Sequence, residues 1–355
     1  MAASNMKAVV FKGPFEVAIE DRPIPEIQDP TDIILKVEYT ALCGSELHVY
    51  RGHQPSGTGF IMGHEFTGHV HSIGSSVKNF KKGDHVVSPF TTSCGECFYC
   101  EHNHSSRCAK GKLFGSGPLD GGQAEYVRVP LADSTAMVAP AGIRPEALVL
   151  MADIFPTGYF AAANAFTHLS ESETRSAVVV LIGCGPVALC ALLNILDYKP
   201  AHVIAIDSIP SRLALAESLG AEPHNFQTGR KELDARVAEL TNGRGADVAI
   251  EVVGLTPALQ LAYDLLRPWG IISSVGVHNG AIPWTGNQAY AKNLRVQMGR
   301  CPVRSIFPQA LESLRKHQDK LDFLLGDVRD LSDFKKGYLD FDKGETQKVV
   351  FRLAS

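Results

Sequence analysis

Three side chains that can bind a metal ion lie far apart in the sequence. They are Cys43, His64 and Asp153. A thiolate, an imidazole and a carboxylate are all ligands that zinc accepts, and three protein ligands with one open position are typical of a catalytic zinc site. Each residue also has an ordinary alternative, because a single cysteine is often a buried small hydrophobe and a single histidine is often a core or surface residue. The three residues alone therefore leave both interpretations open.

A second group consists of four cysteines at short spacing, namely Cys94, Cys97, Cys100 and Cys108. Four thiolates in this pattern close a tetrahedral zinc site with no open position, which makes the zinc structural. In a reducing compartment such a cluster is better interpreted as metal ligands than as disulfides. An iron–sulfur cluster is the alternative, since four cysteines can also hold one. Either metal would hold together a loop that has little core of its own.

A glycine-rich turn at residues 183–188 fits the pattern G-x-G-x-x-G/A and lies between a predicted strand and a predicted helix. Gly183 permits the tight turn, and Gly185 lets a pyrophosphate approach the backbone at the helix N-terminus. Asp207 ends the next predicted strand, where a carboxylate accepts hydrogen bonds from ribose hydroxyls and repels a 2′-phosphate. The pattern predicts a dinucleotide site that prefers NAD to NADP, although Arg212 could face a phosphate. The alternatives are a turn without a ligand and a helix cap at Asp207.

These groups lie on two kinds of predicted structure. Residues 6–150 are rich in β-branched and aromatic residues interrupted by prolines, which predicts a partly open β-barrel carrying loops. From about residue 155 strands and helices alternate, beginning with a strand over 177–182, which predicts a parallel sheet with helices on both faces. Near the C-terminus a helix is predicted over 308–316. A last strand over 348–353 is expected to return to the first domain.

The length and charge of the chain limit its class. A chain of 355 residues exceeds what one core usually holds, so two domains are expected: 1–153, to which 291–355 returns, and 154–290. The net charge is -4 and no basic stripe is visible, which argues against nucleic acid and anionic membrane as partners. The stretch Met1 to Val10 lacks the apolar core of a targeting peptide, and the apolar run from Ala177 is broken by glycines and a proline. A cytoplasmic protein without a membrane span is therefore expected.

The order of these motifs resembles that of the zinc-dependent medium-chain alcohol dehydrogenases over essentially the whole chain. The stretch from Cys43 to Gly52 and the stretch from Asp153 to Tyr159 look closest to a branch with threonine dehydrogenase-like and glutathione-independent formaldehyde dehydrogenase-like enzymes. The resemblance implies a GroES-like catalytic domain, a Rossmann NAD-binding domain and an active site in the cleft between them. It also implies two zinc ions per chain and reversible hydride transfer between an alcohol carbon and the nicotinamide.

The resemblance also implies roles for single residues. Cys43 and His64 match the first two catalytic zinc ligands, and Asp153 occupies a position that is cysteine in many relatives. A carboxylate is a harder ligand that still suits zinc. Glu65 matches a glutamate that can approach the metal when water or substrate leaves. Cys94, Cys97, Cys100 and Cys108 match the structural zinc site.

Proton transfer and contacts around the ligands are assigned in the same way. Ser45 matches the hydroxyl that bonds the substrate oxygen, and His48 matches the end of a proton relay that runs through the nicotinamide ribose. Glu46 stands where aspartate is usual and is expected to hold the ring of His64. Gly44 replaces a basic residue that contacts the pyrophosphate in some relatives, so Lys348 is expected to contribute to cofactor affinity. The full set of expected cofactor contacts is Thr157, Gly183, Gly185, Pro186, Val187, Asp207, Arg212, Val253, Val275 and Val277.

The substrate class is predicted only broadly, as an apolar alcohol, aldehyde or ketone. An apolar pocket formed by Tyr50, Phe90, Leu113, Phe114, Phe155 and Val277 and an ordinary core are equally compatible with these residue types. A homo-oligomer, dimer or tetramer, is expected from the resemblance. Two other functions stay open: a reductase of activated double bonds, whose members commonly lack the zinc ligands, and a non-catalytic protein that binds NAD and zinc.

Overall fold

A computed structural model describes residues 5–353 and divides them into two compact units. Unit 1 runs to Pro156 and resumes at Pro302, and unit 2 is Thr157–Cys301. Residues 1–4, which begin the N-terminal stretch assessed above, and residues 354–355 lie outside the described part of the chain.

The strands are short, and most of them belong to unit 1. Their bounds are β1 Asn5–Gly13, β2 Glu16–Pro23, β3 Ile33–Ala41, β4 Glu65–Ile73, β5 His85–Ser88, β6 Tyr126–Val129, β7 Met137–Val138, β8 Val178–Ile182, β9 His202–Asp207, β10 Glu222–Asn225, β11 Ala246–Glu251, β12 Leu266–Ser274, β13 Arg295–Met298, β14 Val328–Asp330 and β15 Val350–Arg352.

The longer helices all begin at or after Ile154. The α-helices are α1 Gly44–Tyr50, α2 Phe98–Glu101, α3 Ala132–Thr135, α4 Pro145–Leu148, α5 Ile154–Phe166, α6 Glu171–Ser176, α7 Pro186–Asp197, α8 Pro210–Leu219, α9 Arg230–Thr241, α10 Thr256–Leu265, α11 Gly286–Lys292, α12 Val303–His317, α13 Asp322–Leu325 and α14 Phe334–Asp342. Short 3₁₀ helices cover Ser105–Arg107, Val149–Ala152, Gln318–Lys320 and Leu331–Asp333.

Unit 1 is built on a mainly antiparallel sheet in the order β14-β15-β3-β4-β5-β7, with β6 also pairing with β3 and β1 and β2 forming a separate hairpin. Its core collects inward-facing residues of β1, β3, β4 and α14 around Phe66 and Phe114, whose rings meet edge to face at 5.0 Å. The strand β15 pairs with β3, with Val350 opposite Ala41, so the C-terminal segment returns to the first unit as predicted.

Unit 2 is a six-stranded parallel sheet in the order β10-β9-β8-β11-β12-β13. The central strand β8 reads Val-Val-Val-Leu-Ile and is buried throughout, as expected for a parallel strand covered on both faces. Helices α7 to α10 follow strands in alternation. The predicted combination of a β-rich unit and a doubly wound parallel α/β unit is confirmed.

Two element boundaries differ from the sequence-based ones. Unit 2 ends at Cys301 rather than at 290, because β13 pairs with β12 and extends the parallel sheet. Helix α12 begins at Val303 rather than at Pro308, and it contains Pro308. A proline favours the first turn of a helix because it has no N–H to donate, but the turn before Pro308 is already helical here.

Within residues 5–353, no single helix is both long and apolar enough to cross a membrane. One bent pair, Pro145–Ala152 with Ile154–Phe166, meets the length and composition requirement only when the two are taken together.

Candidate metal and dinucleotide sites

The local structure of unit 1 brings the three separated ligand candidates together. Cys43 is the N-cap of α1 and follows β3, whereas His64 directly precedes β4. Strands β3 and β4 are antiparallel with Ala41 opposite Glu65, so the chain segments that leave this end of the pair are neighbours. Asp153 caps the 3₁₀ helix at Val149–Ala152, whose last carbonyl accepts a hydrogen bond from the N–H of Phe90.

The distances among these side chains match those of a metal site. His64 Nε2 lies 3.2 Å from Asp153 Oδ2, and Cys43 Sγ lies 3.4 Å from the same oxygen. Ligands at about 2.0–2.3 Å from a tetrahedral zinc ion are separated by about 3.3–3.7 Å. Ser45 Oγ lies 3.3 Å from Cys43 Sγ and 3.4 Å from His64 Nε2, so its hydroxyl faces the same point. The donor set and its spacing therefore fit zinc.

The electrostatics of this group favour a bound cation. Burial raises the pKa of the Cys43 thiol, and the charges of Asp153 and Glu65 raise that pKa further. Burial alone lowers the pKa of His64, but the charge of Glu46 and hydrogen bonds to Asp153 and Cys43 together hold it well above its usual range. A divalent cation would lower both pKa values, because it favours the thiolate of Cys43, the carboxylate of Asp153 and the neutral imidazole of His64.

Glu46 contacts the site differently from the expectation. Its Oε2 accepts a hydrogen bond from the N–H of Cys43 at 2.9 Å, and its Oε1 lies 3.8 Å from His64 Nδ1. The second distance is too long for a hydrogen bond, so Glu46 mainly holds the backbone of Cys43. Gln123 bridges this carboxylate to a buried tyrosine, since Gln123 Nε2 lies 3.4 Å from Glu46 and Gln123 Oε1 accepts from Tyr338 at 2.8 Å. Sequence reasoning missed Gln123 and Tyr338, which lie far from the metal motifs in sequence.

Close packing explains the glycine that precedes His64. Gly63 has φ +101°, and a Cβ at this position would lie 2.6 Å from the backbone nitrogen of Gln123. Only glycine adopts this conformation without strain and without a clash. The glycine therefore allows His64 to approach the segment that carries Gln123.

Glu65 points away from solvent into a buried ion pair. It is fully buried and its Oε2 accepts from Nζ of Lys348, which is 1% exposed. Burial raises the pKa of Glu65 to about 7, even though Lys348 acts in the opposite direction. Glu65 also belongs to the group of ligand-type side chains that contains Cys43. The expectation that Lys348 contacts the cofactor is not supported, because its ammonium group already binds Glu65 inside unit 1.

His48 lies on α1 three residues after Ser45, which puts the two on one face of the helix. It is half-buried, and burial lowers the pKa of its imidazole, with His53 and Arg51 adding to the effect. The rings of His48 and His53 are 6.3 Å apart. His48 is therefore held mainly neutral at physiological pH, the form that can accept a proton.

The four cysteines of the second group converge as predicted. Their sulfur atoms all lie within 4.8 Å of one another. The N–H groups of Cys94 and Lys110 point at Cys108 Sγ from 3.2 and 3.4 Å. Backbone N–H groups of Ala109 and Cys100 lower the pKa of Cys97 to about 6, whereas burial raises that of Cys100 to about 12. Burial also raises the pKa of Cys108, so of these three thiols only that of Cys97 favours the thiolate without a cation. Four cysteine sulfurs at this spacing, with backbone N–H groups directed at them, fit a structural zinc ion, which would stabilise all four thiolates.

The glycine-rich turn of unit 2 has the form that a pyrophosphate requires. Gly183 has φ +93°, and a Cβ there would lie 2.7 Å from a methyl group of Val253. Gly185 is the N-cap of α7 and makes no side-chain cap hydrogen bond, and a Cβ there would meet only Arg212 Nη1 at 4.0 Å. Pro186 and Val187 form the first helical turn, so open space adjoins a helix start with unsatisfied N–H groups. These features fit a dinucleotide.

Asp207 already has several hydrogen bonds. Its carboxylate accepts from the N–H groups of Cys184 at 2.8 Å, Ser208 at 2.7 Å and Ile209 at 2.9 Å. A carboxylate has about four lone-pair sites, so one remains for a ribose hydroxyl. Arg212 Nη1 lies 4.0 Å from Asp207 Oδ2. The helix-cap interpretation of Asp207 is wrong, because the N-cap of α8 is Ile209 and no side chain caps this helix; the carboxylate instead holds the turn before α8 and keeps one site for a ribose hydroxyl.

The remaining predicted cofactor residues fall into two places in unit 2. Thr157 is buried in α5, next to Gly158, where a Cβ would lie 2.6 Å from the backbone of α7. Val253 and Val277 are 39% and 47% exposed and follow adjacent strands, while Val275 bonds through its N–H to the carbonyl of Glu251. Val253 therefore lies next to Gly183 and Val277 next to Gly254, and both valines are open to solvent.

A buried polar cluster that sequence reasoning missed supports this loop. Glu251 is fully buried at the end of β11, and its Oε1 accepts from the N–H groups of Val253 at 2.8 Å and Gly254 at 2.7 Å. Its Oε2 bonds to Ser274 Oγ at 2.6 Å and to His278 Nε2 at 2.9 Å. A glutamate directly after the apolar residues at 248–250 of this strand was the signal in the sequence. The cluster fixes the backbone that carries Val253.

Three of the six proposed substrate-pocket residues are ordinary core, and Leu113 is only partly buried. Tyr50 and Phe114 belong to the core of unit 1, and Phe155 is fully buried. Phe90 differs, because its ring stands edge-on to His64 at 6.2 Å. Val277 belongs to unit 2. Of the two equal alternatives, the core interpretation holds for Tyr50, Phe114 and Phe155, whereas Phe90 adjoins the ligand candidate His64.

Comparison with known protein families gives two successive matches. A model described as "Alcohol dehydrogenase GroES-like domain" matches residues 29–140, and a model described as "Zinc-binding dehydrogenase" matches residues 186–316. The first contains the ligand candidates Cys43 and His64 and the four-cysteine group, and the second begins at the first residue of α7.

Curated relatives and solved structures agree with these matches. The chain is 64% identical over 349 residues to "Zinc-type alcohol dehydrogenase B" of Aspergillus flavus, covering 98% of this chain and 82% of the relative. It is 31% identical to "Glutathione-independent formaldehyde dehydrogenase" of Pseudomonas aeruginosa, covering 98% and 97%. Among solved structures, "Alcohol dehydrogenase TADH from Thermus sp. ATN1" superposes with a TM-score of 0.89 at 33% identity, covering 98% of this chain and 100% of that one.

Proposed function

This chain belongs to the zinc-dependent medium-chain alcohol dehydrogenases, and on that premise we propose that Cys43, His64 and Asp153 hold its catalytic zinc. The protein is an oxidoreductase that acts on small-molecule alcohols and aldehydes, with zinc and NAD as cofactors. The observation that carries the assignment is the convergence of three ligand-type side chains: the thiol of Cys43 and the imidazole of His64 both lie within 3.4 Å of Oδ2 of Asp153.

In this proposal Ser45 and His48 handle the substrate proton, and Glu65 lies beside the metal ligands. When bound, zinc supplies Lewis acidity toward an alcohol or carbonyl oxygen, and NAD supplies the hydride acceptor. Ser45 Oγ adjoins two of the three ligands and is suited to accept the hydroxyl proton of the substrate. His48, held neutral by burial and on the same helical face, is the acceptor that releases this proton to water. Glu65 is the nearby carboxylate that completes the group of ligand-type side chains.

A cofactor preference for NAD over NADP follows from Asp207. Its carboxylate would repel a 2′-phosphate, and its remaining lone pair would accept from a ribose hydroxyl. Arg212 moderates this preference, because its guanidinium group stands 4.0 Å from that carboxylate. The proposed contacts are Gly183, Gly185, Pro186 and Val187 for the pyrophosphate, Asp207 and Arg212 for the ribose, and Thr157, Val253, Val275 and Val277 for the nicotinamide end.

Within the alcohols and aldehydes, we propose apolar substrates, including ketones. The ring of Phe90 beside His64 offers an apolar wall at the metal ligands. The solved structure and the relatives named above are described as alcohol and formaldehyde dehydrogenases.

The other proposals concern the second zinc ion and the assembly. Cys94, Cys97, Cys100 and Cys108 hold a structural zinc ion in unit 1. The β-rich residues form the catalytic domain, and the parallel α/β residues form the NAD-binding domain. A homo-oligomer is proposed because β13, with Val296 39% exposed, is an outer strand of its sheet, and such an edge offers unpaired N–H and C=O groups to a second copy.

A cofactor and substrate screen tests the proposal. The purified enzyme is assayed by the absorbance of the reduced cofactor, with NAD or NADP, over a panel of alcohols, aldehydes, ketones and enones. We expect NAD-dependent oxidation of alcohols that disappears in Cys43→Ala and persists in Cys301→Ala, a buried cysteine outside both ligand groups. Equal turnover in Cys43→Ala and the parent would refute the catalytic site. Turnover of enones alone would support a double-bond reductase instead.

A further inference from the structure

Three more ligand-type side chains converge on the sheet of unit 1, away from both zinc groups. Glu38, His69 and His85 lie on the neighbouring strands β3, β4 and β5, and one ligand atom of each lies within 4.8 Å of the others. His69 and His85 are directly paired across β4 and β5, which brings their side chains to the same face. Their rings stack at 4.7 Å with planes 23° apart.

A strand irregularity puts Glu38 on this face. In the β3–β4 pairing, Val37 is opposite Gly68 and Tyr39 is opposite Thr67, so Glu38 is the extra residue of a β-bulge. Bulges redirect a side chain and often do so at functional positions. The carbonyl of Glu38 is held by the N–H of Leu353 at 2.9 Å, which fixes the bulge.

Hydrogen bonding orients a lone pair of His69 toward the other two side chains. His69 Nδ1 donates to the carbonyl of Gly83 at 3.3 Å, so its Nε2 carries a lone pair. That Nε2 lies 3.4 Å from Glu38 Oε2, and His85 Nε2 lies 3.1 Å from the same oxygen. An Nδ1–H bond to a backbone carbonyl commonly supports a histidine that binds metal through Nε2.

Two of these atoms have no hydrogen-bond partner of suitable geometry within the described structure, although they lie 3.1 Å from each other. Glu38 Oε2 and His85 Nε2 are buried at the atomic level and make no hydrogen bond. Buried polar atoms without a partner are rare in folded proteins, and a bound ion often accounts for them. The distances of 3.4 and 3.1 Å from Glu38 Oε2 to the two Nε2 atoms are close to the ligand–ligand distance around a tetrahedral zinc ion, which is about 3.3 Å for nitrogen and oxygen ligands.

We propose that Glu38 Oε2, His69 Nε2 and His85 Nε2 form a third metal site that takes a divalent transition-metal ion, with zinc as the best match. Two imidazoles and one carboxylate suit zinc, and a fourth position is left for water. His69 is 49% exposed in its side chain, so the ion can enter from solvent. The rigid strands on which all three residues lie keep the ligands in register.

Zinc titration with matched variants tests this site. The purified holoenzyme is dialysed against micromolar free Zn²⁺, and bound zinc is measured per chain by mass spectrometry. We expect one equivalent more than the tightly bound zinc in the parent, and its loss in both Glu38→Gln and His85→Gln. The control His71→Gln removes an exposed histidine from the same face of β4 and is expected to keep the additional equivalent.

The result separates this site from the proposed zinc ions of the dehydrogenase. Those ions are counted first, after dialysis against zinc-free buffer, and circular dichroism checks that each variant is folded. A parent that binds no additional zinc, or an additional equivalent that persists in His85→Gln, would overturn the proposal. Loss of the additional zinc in His71→Gln as well would point to scattered surface histidines and would also overturn it.

Discussion

The buried pair of Lys348 and Glu65 allows the sharpest test of how the proposed site is supported. The substitution Lys348→Met keeps the length of the side chain and removes its charge. Both side chains are at most 1% exposed, so Glu65 would be left without a cation in the interior. Removing one partner of a buried pair typically costs about 3–5 kcal/mol. For a unit of about 200 residues this corresponds to a loss of roughly 6–20 °C in Tm.

Thermal unfolding followed by circular dichroism measures this cost. The double variant Glu65→Gln/Lys348→Met should recover much of the loss, because a neutral amide tolerates burial better than an unpaired carboxylate. The control Lys343→Met lies on an exposed turn and should change Tm little. If Lys348 bound the cofactor instead, Lys348→Met would raise the KM for NAD with a small change in Tm. That outcome, or equal destabilisation in the single and double variants, would refute the argument.

Three further predictions concern the metal, the proton acceptor and the cofactor loop. In Cys108→Ser we expect the loss of one tightly bound zinc ion per chain and a lower Tm; an unchanged zinc content would contradict the four-cysteine site. In His53→Gln the pKa of His48 should rise, because the charge of His53 contributes to lowering it. Since the proton acceptor must be neutral, the acidic limb of the pH profile of kcat/KM should move to higher pH. A shift to lower pH would contradict the role of His48 as proton acceptor. Glu251→Gln weakens the side-chain acceptor of the hydrogen bonds that fix the backbone of Val253. The Kd for NADH measured by fluorescence should therefore rise by about tenfold, equivalent to about 1.4 kcal/mol. An unchanged Kd together with an unchanged Tm would contradict this supporting role of Glu251.

Motifs with a fixed local geometry were predictable from the sequence. Four cysteines at short spacing determine their own convergence, and the glycine turn lies within one strand–turn–helix unit, so neither depends on distant pairing. The alternation of strands and helices likewise predicted the parallel sheet, because helices that follow buried strands must cover them.

Contacts that depend on distant pairing were not predictable. The sequence pattern of β3 did not predict the bulge at Glu38, because the bulge depends on the register between β3 and β4. The pairing of Lys348 with Glu65 needs the C-terminal strand to lie against β3, and the backbone bonds of Glu251 depend on the turn after β11. The aromatic residues near the motifs could not be divided between pocket and core, because burial depends on neighbours that a linear pattern does not reveal.

Zinc content of an Asp153 series tests the central claim most directly. After dialysis against zinc-free buffer, the parent should retain two zinc ions per chain, and Asp153→Ala should retain one and lose alcohol oxidation. Asp153→Cys should regain the second zinc ion, since a thiolate can replace the carboxylate as a ligand. The control Asp319→Ala removes an exposed carboxylate and should keep both. Two tightly bound zinc ions in Asp153→Ala would contradict the assignment of Asp153, Cys43 and His64 as the catalytic metal site.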